Sequence, residues 1–384
     1  MKIIRTIESF YPKVHGPANQ AFKISSELEN KKIRSPVFTT FFDVKNVKSK
    51  EKIVNVFVKR FKSKYRIFKY IFSPKMKKSL FKNDFDIMHG HCYRSYQSDI
   101  GYSISKKKNK AFVLSTHGTL TAYKHFVKFP WNIAFQIYDL LTLKRTAKKA
   151  DAVIVNSGQE YKEALNFGIR KNRLHLIPVG INIKDYKVKR DFKDNKTLRL
   201  LYIGRITRNR PLKPTLKAVN ILNSILSKRK VELTVIGSEA RSSFSGKKGY
   251  LNELKKYVKV NNLMKHVTFI SELNKKELKK YYKNSDVFIY PSVYENFGQP
   301  ILEAATAGLP VICSRVGIAK DLFLNEKQQL FMTNNPKQIA SQVSKLINPA
   351  LRKEISRYNL KVIKEKFTWD QVMLKYFKLY RSLI

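Results

Sequence analysis

Residues 286–315, DVFIYPSVYENFGQPILEAATAGLPVICSR, decide the fold. The run DVFIYPS (286–292) predicts a buried strand, because Val, Phe, Ile and Tyr suit the inside of a sheet. Pro300 suits the first turn of a helix, and Gly308 suits its end. A second apolar run, PVICSR (310–315), follows at once. The stretch therefore predicts strand, helix and strand in sequence, as in a parallel sheet covered by helices.

Two acids stand out in this stretch, because the chain has only 28 acidic residues against 77 Lys and Arg. Glu303 lies in the first turn of the predicted helix, where the helix dipole stabilises an acid in any protein. That ordinary explanation does not cover Glu295, which lies in the loop before the helix. Both acids follow the carboxyl end of a strand, where doubly wound sheets bind ligands.

The same alternation of apolar runs and longer amphipathic segments extends along the whole chain. It indicates doubly wound α/β architecture. The other predicted strands are 1–7, 35–41, 86–91, 111–117, 151–157, 198–204, 231–237 and 266–271.

A polar segment, KVKRDFKDNKT (187–197), has no apolar period and precedes a new strand. It predicts a linker between two α/β domains, 1–190 and 197–366. A length of 384 residues suits two ordinary domains.

Composition excludes several classes of protein. Two cysteines make neither a disulfide framework nor a zinc pattern, and they favour a reducing compartment. The first residues, MKIIRTIESFYP, predict a strand rather than a signal peptide. The most apolar stretch, 129–141, is too short to span a membrane and contains Asp139. A formal charge of +49 attracts anions of every kind and so names no single partner.

ENFGQPILEA, followed by A-x-G-x-P-V, resembles the Glu-x7-Glu signature of the group 1 (family 4) retaining glycosyltransferases. The resemblance implies the GT-B fold, in which two Rossmann-like doubly wound domains face a cleft. It also implies a terminal helix, 367–384, that crosses back to the N-terminal domain. The C-terminal domain would bind a nucleotide-sugar donor and the N-terminal domain the acceptor.

The resemblance assigns roles to the residues of the signature. Glu303 would hold the ribose hydroxyls of the nucleotide. Glu295 would orient the transferred sugar, together with the backbone amides at Phe297, Gly298 and Gln299. A carboxylate can accept two hydroxyl protons at once.

Two N-terminal segments also resemble the family. YPKVHGPANQAFKISSEL (11–28) places Gly16 where the backbone approaches the donor phosphate, with His15 in place of a first glycine. VLSTHGT places His117 where the family has a histidine that contacts the donor sugar. The alternative for His117 is an ordinary loop histidine.

LYIGRITRNRPLKPTLKAV (201–219) resembles the family's donor-phosphate loop, Gly-Arg-x4-Lys. Arg205 matches, whereas Arg210 stands at the lysine position and Pro211 follows it. Arginine keeps the charge but is longer and planar. The alternative is a solvated basic loop.

No metal site and no cofactor are predicted. Asp84 and Asp86 resemble the metal-binding acid pair of another glycosyltransferase fold, but they lead into a buried strand. His89 and His91 alternate along a strand end, and two ligands make a poor metal site. Arg205 and Arg210 would supply the positive charge for the departing diphosphate.

Residues 45–82 interleave many Lys and Arg with aromatic and aliphatic residues. Five of these recur at helical spacing and predict a basic amphipathic helix on an anionic membrane surface. The alternative is a helix packed on the sheet with a solvated basic face. The five residues are Val58, Phe61, Tyr65, Phe68 and Phe72.

Together these patterns predict a metal-independent retaining glycosyltransferase. It would transfer a sugar to a glycan or a polyprenyl-phosphate-linked acceptor, in the cytoplasm and peripherally at the membrane. Two alternatives stay open: a basic nucleic-acid-binding protein, although no nucleic-acid-binding signature is found, and a sugar-binding protein without catalysis.

Overall fold

The computed structural model describes residues 1–13, 15–67, 70–127, 129–239, 249–323 and 334–384. They form two compact units. Unit 1 comprises Met1–Val179 and Val372–Ile384, and unit 2 comprises Gly180–Gln371.

Unit 1 is a layered α/β structure. Its strands are β1 (Ile3–Thr6), β2 (Val37–Thr40), β3 (Lys50–Ile53), β4 (Val56–Phe61), β5 (Tyr65–Ile67), β6 (Tyr70–Phe72), β7 (Ile87–His91), β8 (Ala111–Ser115), β9 (Ala152–Val155) and β10 (Leu174–Leu176). Its helices are α1 (Gly16–Asn30), α2 (Pro74–Phe81), α3 (Tyr96–Lys107), α4 (Tyr123–Phe126), α5 (Trp131–Leu141), α6 (Arg145–Lys148) and α7 (Gly158–Phe167), with a 3-10 turn at Lys171–Arg173.

The main sheet of unit 1 has the order β10-β9-β8-β7-β1-β2-β4-β3 and is parallel except for the β3–β4 pair. Its central strands are apolar on both faces, and Ile3 and Ile4 of β1 are both fully buried. Helices therefore cover both sides, as expected for a parallel sheet. The strand order reverses between β1 and β7, so a crevice is expected at their carboxyl ends.

Unit 2 contains a smaller parallel sheet of order β13-β12-β11-β14-β15. Its strands are β11 (Thr197–Ile203), β12 (Lys230–Ile236), β13 (Val267–Ile270), β14 (Val287–Tyr290) and β15 (Val311–Cys313). The remaining helices of the chain are α8 (Ile183–Tyr186), α9 (Lys213–Ile225), α10 (Tyr250–Val260), α11 (Lys275–Asn284), α12 (Gln299–Thr306), α13 (Ala319–Leu322), α14 (Pro336–Lys345), α15 (Pro349–Lys366) and α16 (Trp369–Arg381). The strand order here reverses between β11 and β14.

The prediction of an amphipathic helix within 45–82 is wrong. The five positions named for that helix fall in the region of β4 and the β5–β6 hairpin, β3 precedes them, and the described part of the segment is helical only at α2. Val56 and Val58 are buried while Phe57 between them is exposed, which is the period of a strand. Val, Phe and Tyr favour strands, and their helical spacing was coincidental. Phe68 lies outside the described residues.

The polar segment 187–197 lies within unit 2, because the chain passes between units at Val179–Gly180. Arg190 fastens this segment by donating to the carbonyls of Ser285 at 2.6 Å and Ala307 at 3.1 Å. Most of α16 belongs to unit 1, where the Tyr376 hydroxyl lies 3.4 Å from Gln20 Nε2. Within the described ranges, no helix combines the length and the apolar composition that crossing a bilayer requires.

Candidate active site

The two loops that follow β11 and β14 meet at the reversal of strand order in unit 2. The Val293 N–H donates to the Asn209 carbonyl at 2.9 Å, which joins the loops directly. Tyr202 and Tyr290, at the ends of the two strands, stack with ring centroids 5.8 Å apart. The arginine loop and the Glu295 loop predicted from sequence therefore lie side by side.

Glu295 and Arg210 form a largely buried ion pair. Arg210 Nε and Nη2 each lie 2.8 Å from Oε1 of Glu295, and the two side chains are only 12% and 14% exposed. The hydroxyls of Tyr290 and Ser292 donate to the same oxygen at 3.0 Å. Burial would lower the pKa of Arg210, but electrostatic interactions with Tyr290 and Glu295 raise it overall. Arg210 therefore stays positively charged.

The start of the arginine loop depends on two glycines. Gly204 has φ +158°, close to fully extended. A Cβ built on Gly237 would lie 2.0 Å from the carbonyl oxygen of Gly204. Gly237 itself has φ +149°, so side chains are excluded from this crossing. Arg205 follows Gly204 and is exposed, while its carbonyl accepts from the Tyr202 hydroxyl at 2.8 Å.

Glu303 lies on α12 beneath two tyrosines of unit 2. The Tyr186 hydroxyl donates to Oε1 at 2.8 Å, and the Tyr282 hydroxyl to Oε2 at 3.3 Å. Burial raises the pKa of Glu303, while hydrogen bonds from Tyr186, Gln299 and Tyr282 oppose the rise. A carboxylate has about four lone-pair sites, so with these three donors Glu303 retains capacity for one more.

The turn before α12 has a left-handed residue at Gly298, with φ +92°. Phe297 is buried, and its carbonyl accepts from the Ile318 N–H at 2.8 Å. A Cβ on Gly317 would lie 2.3 Å from that carbonyl oxygen. Glycines on both sides thus permit the close packing that fixes the Phe297–Gln299 turn.

In unit 1, Gly16 is the first residue of α1 and is exposed. A Cβ built on it would meet nothing within 4 Å, so packing within the chain does not require a glycine there. His15 caps the helix: its Nδ1 accepts from the Ala18 N–H at 3.4 Å, and its Nε2 lies 3.2 Å from the Ser9 carbonyl. The residue that replaces a glycine in the family pattern therefore has a structural role.

His117 follows β8 with φ +49° and stacks on His91, with ring centroids 5.2 Å apart. Arg5 is fully buried, and its Nη1 lies 2.7 Å from His89 Nδ1 and 3.5 Å from His91 Nε2. A guanidinium only donates, so both of those nitrogens accept. His91 then donates from Nδ1 to His117 Nε2 at 2.9 Å. This leaves the Nδ1–H of His117 as its donor.

Burial, and then the charge of His15, lowers the pKa of His117 to about 3. Burial also holds the pKa values of His89 and His91 well below their ordinary range. All three rings are therefore neutral near pH 7. His117 can act there as a hydrogen-bond donor but not as a cation.

The loop that presents His117 is tied to Glu160 on α7. The Glu160 carboxylate accepts from the Gly118 N–H and the Thr116 hydroxyl, each at 2.5 Å, and from the Asn156 N–H at 2.7 Å. Burial raises the pKa of Glu160 to about 7. This carboxylate fixes both residues that flank His117.

Comparison with known families agrees with this geometry over most of the chain. Residues 14–185 match glycosyltransferase family 4, and residues 184–362 match the glycosyl transferases group 1. The chain belongs to the group 1, family 4 glycosyltransferases. It is a glycosyltransferase of the hexosyltransferase type.

Individual relatives of this glycosyltransferase are distant. An uncharacterized glycosyltransferase of Methanocaldococcus jannaschii is 24% identical over 310 residues, which cover 77% of this chain and 75% of that protein. A D-inositol 3-phosphate glycosyltransferase of Pseudarthrobacter chlorophenolicus is 29% identical over 45% of this chain and 41% of its own length.

Solved structures show the GT-B fold. Sucrose-phosphate synthase from Thermosynechococcus elongatus has a TM-score of 0.75 and 21% identity, and the match covers 100% of this chain and 99% of that chain. Anabaena HepE in complex with UDP has a TM-score of 0.76 and 16% identity, with both chains fully covered. At these identities the likeness establishes the fold alone.

Sequence reasoning missed the polar partners that hold the signature residues of this glycosyltransferase. Glu303 accepts hydrogen bonds from the hydroxyls of Tyr186 and Tyr282, and Glu295 accepts one from the hydroxyl of Tyr290. Glu160 accepts from the backbone of the loop that contains His117. One signal was available. Ser157 and Glu160 have capping-box spacing, although that pattern foretells only a helix start.

The residues considered for metal binding have other surroundings. The Asp84 side chain is fully exposed, and Asp86 accepts from the Lys2 N–H at 2.7 Å. His89 and His91 belong to the stack that contains His117. Among the described residues, no group of three or more His, Cys, Asp or Glu is placed to hold a metal ion.

Proposed function

We propose that this glycosyltransferase moves a sugar from a nucleotide-diphosphate-sugar to a glycan or lipid-linked acceptor, with retention of anomeric configuration and without a metal ion. The observation that carries the proposal is the meeting of Arg210 and Glu295 at the strand-order reversal of unit 2. That place in an α/β sheet binds ligands, and a buried cation there suits a diphosphate.

Unit 2 binds the donor in this proposal. Glu303, oriented by Tyr186 and Tyr282, accepts from the ribose hydroxyls. Arg205 and Arg210 contact the diphosphate, while Glu295 and the amides of the Phe297–Gln299 turn orient the sugar. Anabaena HepE was solved with UDP and with UDP-glucose, which makes UDP-glucose the first donor to test.

Unit 1 binds the acceptor and also contributes to donor recognition. Gly16 lets the backbone approach a donor phosphate. A side chain at this position would fill the open space beside the backbone that the phosphate needs. His117 donates from Nδ1 to a sugar hydroxyl, since His91 occupies its Nε2. With a neutral ring at neutral pH, His117 positions the sugar and carries no proton to it.

The transfer proceeds on one face of the sugar. The bond from the anomeric carbon to the diphosphate oxygen breaks as the acceptor oxygen bonds to the same face. The acceptor's proton passes to the departing phosphate oxygen. Charge builds on that oxygen, so fixed cations at the site stabilise the transition state.

Metal independence follows from this use of the two arginines. Transfer should survive saturating EDTA, and Asp84→Ala should keep full activity because that carboxylate is fully exposed. Complete loss on chelation, restored by manganese, would overturn the metal-independent part of the proposal.

A donor screen tests the function directly. Thermal shifts with UDP-, GDP- and ADP-sugars identify the donor, and nucleotide release in the presence of acceptor shows turnover. Proton NMR of the product then gives its anomeric configuration. Glu295→Gln should abolish transfer, whereas Glu272→Gln, at an exposed acid of the same unit, should not. Binding without turnover in any donor and acceptor pair would favour a sugar-binding protein.

The acceptor is proposed to be lipid-linked at the cytoplasmic face of a membrane. The formal charge of +49 favours residence near anionic headgroups. Tighter binding to RNA than to anionic vesicles at equal salt would favour a nucleic-acid-binding protein instead.

A further inference from the structure

Helix α5 in unit 1 has its apolar face turned to solvent. Ile133, Ile137, Leu140 and Leu141, here called the α5 face, follow the i, i+4, i+7, i+8 spacing of one helical stripe. Their exposures are 37%, 49%, 72% and 77%. A stripe of this kind normally faces a core, so its exposure requires an explanation.

The opposite side of α5 contacts unit 1 and makes polar contacts there. The Tyr138 hydroxyl donates to Asp99 at 2.6 Å. Asp139 is buried and paired with Arg94 at 2.6 Å. These contacts fix the rotation of the helix about its axis. Rotating the helix to bury the leucines would break the ion pair and leave a buried charge without its partner. The outward apolar face is therefore built into the fold.

The apolar surface continues beyond the helix. Leu143, after the end of α5, is 62% exposed, and Trp131, the first residue of α5, is 59% exposed. Tyr70 of the β5–β6 hairpin packs on Tyr138, with ring centroids 6.1 Å apart, so the hairpin lies beside α5. Ile67 of that hairpin is 63% exposed.

Exposed basic residues lie close in the chain to α5 and to the hairpin; they are called the basic border. Arg145 and Lys148 of α6, and Lys149 after it, are exposed and follow α5 directly. Lys64 and Arg66 are exposed on and beside the hairpin. Exposed apolar residues with a basic border fit the interface of an anionic bilayer. A second copy of the chain fits poorly, because each copy has a formal charge of +49 and like charges repel.

We propose that the α5 face docks this protein on an anionic lipid bilayer, with its leucines and isoleucines at the headgroup boundary and the basic border against the headgroups. The lipid-linked acceptor proposed above explains why docking would be useful to the protein, and this inference rests on the proposed function in that respect alone. The docking itself requires neither donor nor acceptor, so its test is separate from that of transfer.

Vesicle sedimentation of the full chain measures the docking. Phosphatidylcholine vesicles that contain phosphatidylglycerol should bind the protein, and pure phosphatidylcholine vesicles should bind it much less. Trp131 gives an independent signal, since its emission should shift to the blue on the anionic vesicles. Trp131→Phe should remove that shift.

Paired variants separate this surface from general stickiness. Leu140→Gln with Leu141→Gln should weaken vesicle binding by about 10- to 100-fold, because two largely exposed leucines no longer enter the interface. The control is Val260→Gln with Met264→Gln in unit 2, where exposures of 70% and 67% are comparable. That control should bind vesicles like the parent protein.

A second pair tests the basic border. Removing the charges of Arg145, Lys148 and Lys149 by substitution with Gln should weaken binding at low salt by about 10-fold or more. The control removes three exposed lysines of unit 2, Lys255, Lys256 and Lys259, and so has the same net charge. It should lose much less affinity.

Three results would overturn the proposal. The leucine variant and its control could bind anionic vesicles equally well, or the emission of Trp131 could stay unchanged when vesicles are added. The parent protein could also be a dimer that the leucine variant turns into a monomer. The last would make the α5 face an interface between copies. Transfer to a soluble acceptor should persist in every α5 variant. Its loss together with retained vesicle binding would count against the proposed function and not against docking.

Discussion

Removing either partner of the Glu295–Arg210 pair should destabilise unit 2, and removing both should cost less than the sum. Breaking a fully buried pair typically costs about 3–5 kcal/mol, because one charge is left without a partner. Here the side chains are 12% and 14% exposed, and two hydroxyls also serve Oε1 of Glu295. We therefore expect about 2 kcal/mol for Glu295→Gln and about 2 kcal/mol for Arg210→Gln.

The double variant leaves no buried charge unpaired, so its cost should be about 2–3 kcal/mol instead of about 4 kcal/mol. Urea unfolding measures these free energies. In a Trp131→Phe background, Trp369 of unit 2 is the single tryptophan and reports on that unit. Equal slopes of free energy against urea in all four proteins would show that the unfolded states are comparable.

A second ion pair of unit 2 provides the control. Lys193 and Asp191 also lie 2.8 Å apart, but their side chains are 70% and 67% exposed. Exposed pairs of this kind have little net effect on stability, so a matching cycle there should show no measurable coupling. If the Glu295 and Arg210 effects add within about 0.5 kcal/mol, the buried ion pair does not have the energetic role described above.

Further predictions concern the other site residues. Gly16→Ala should leave the melting temperature unchanged or raised, because its Cβ meets nothing within 4 Å, yet weaken UDP binding in calorimetry by about 10-fold or more; unchanged affinity would remove Gly16 from the donor site. Glu303→Gln should weaken UDP binding by about 1–3 kcal/mol with the fold intact, whereas equal affinity would leave Glu303 as a helix charge. Burial holds the pKa values of His89 and His91 well below 6.5, the ordinary value for a histidine, so only the unfolded chain gains their protons as pH falls below about 6.5, and stability is lost in that direction. Between pH 6.5 and one unit below it, each of these two rings should cost about 1 kcal/mol in urea unfolding, measured in a Glu160→Gln background because the raised pKa of Glu160 acts in the opposite sense; equal stability at those two pH values would contradict neutral burial.

The sequence by itself determined the class of fold and the positions of most strands. Residues 286–292 and 310–315 carry β14 and β15, and Pro300 and Gly308 bracket α12. These features are local: branched and aromatic residues favour strands, and proline and glycine favour helix ends. The spacing of Glu295 and Glu303 is also local, and that made the family recognisable.

Only the tertiary structure decided which groups meet. Arg210 and Glu295 are 85 residues apart in the chain, and Arg5 and His89 are 84 apart. The order of residues in the chain does not show that these side chains touch, because such contacts depend on which strands become neighbours in the sheet. Helical spacing also misled within 45–82, where strand pairing with β2 took Val58 and Phe61 into a sheet.

Helix α5 shows the limit most directly. Its apolar stripe is plain in the sequence, but periodicity states only that one side is apolar and not what lies opposite that side. Asp139 pairs with Arg94 inside unit 1, and this contact orients α5 so that its leucines face solvent. The sequence determined that the stripe exists; the buried ion pair, formed only on folding, decided that the stripe faces solvent.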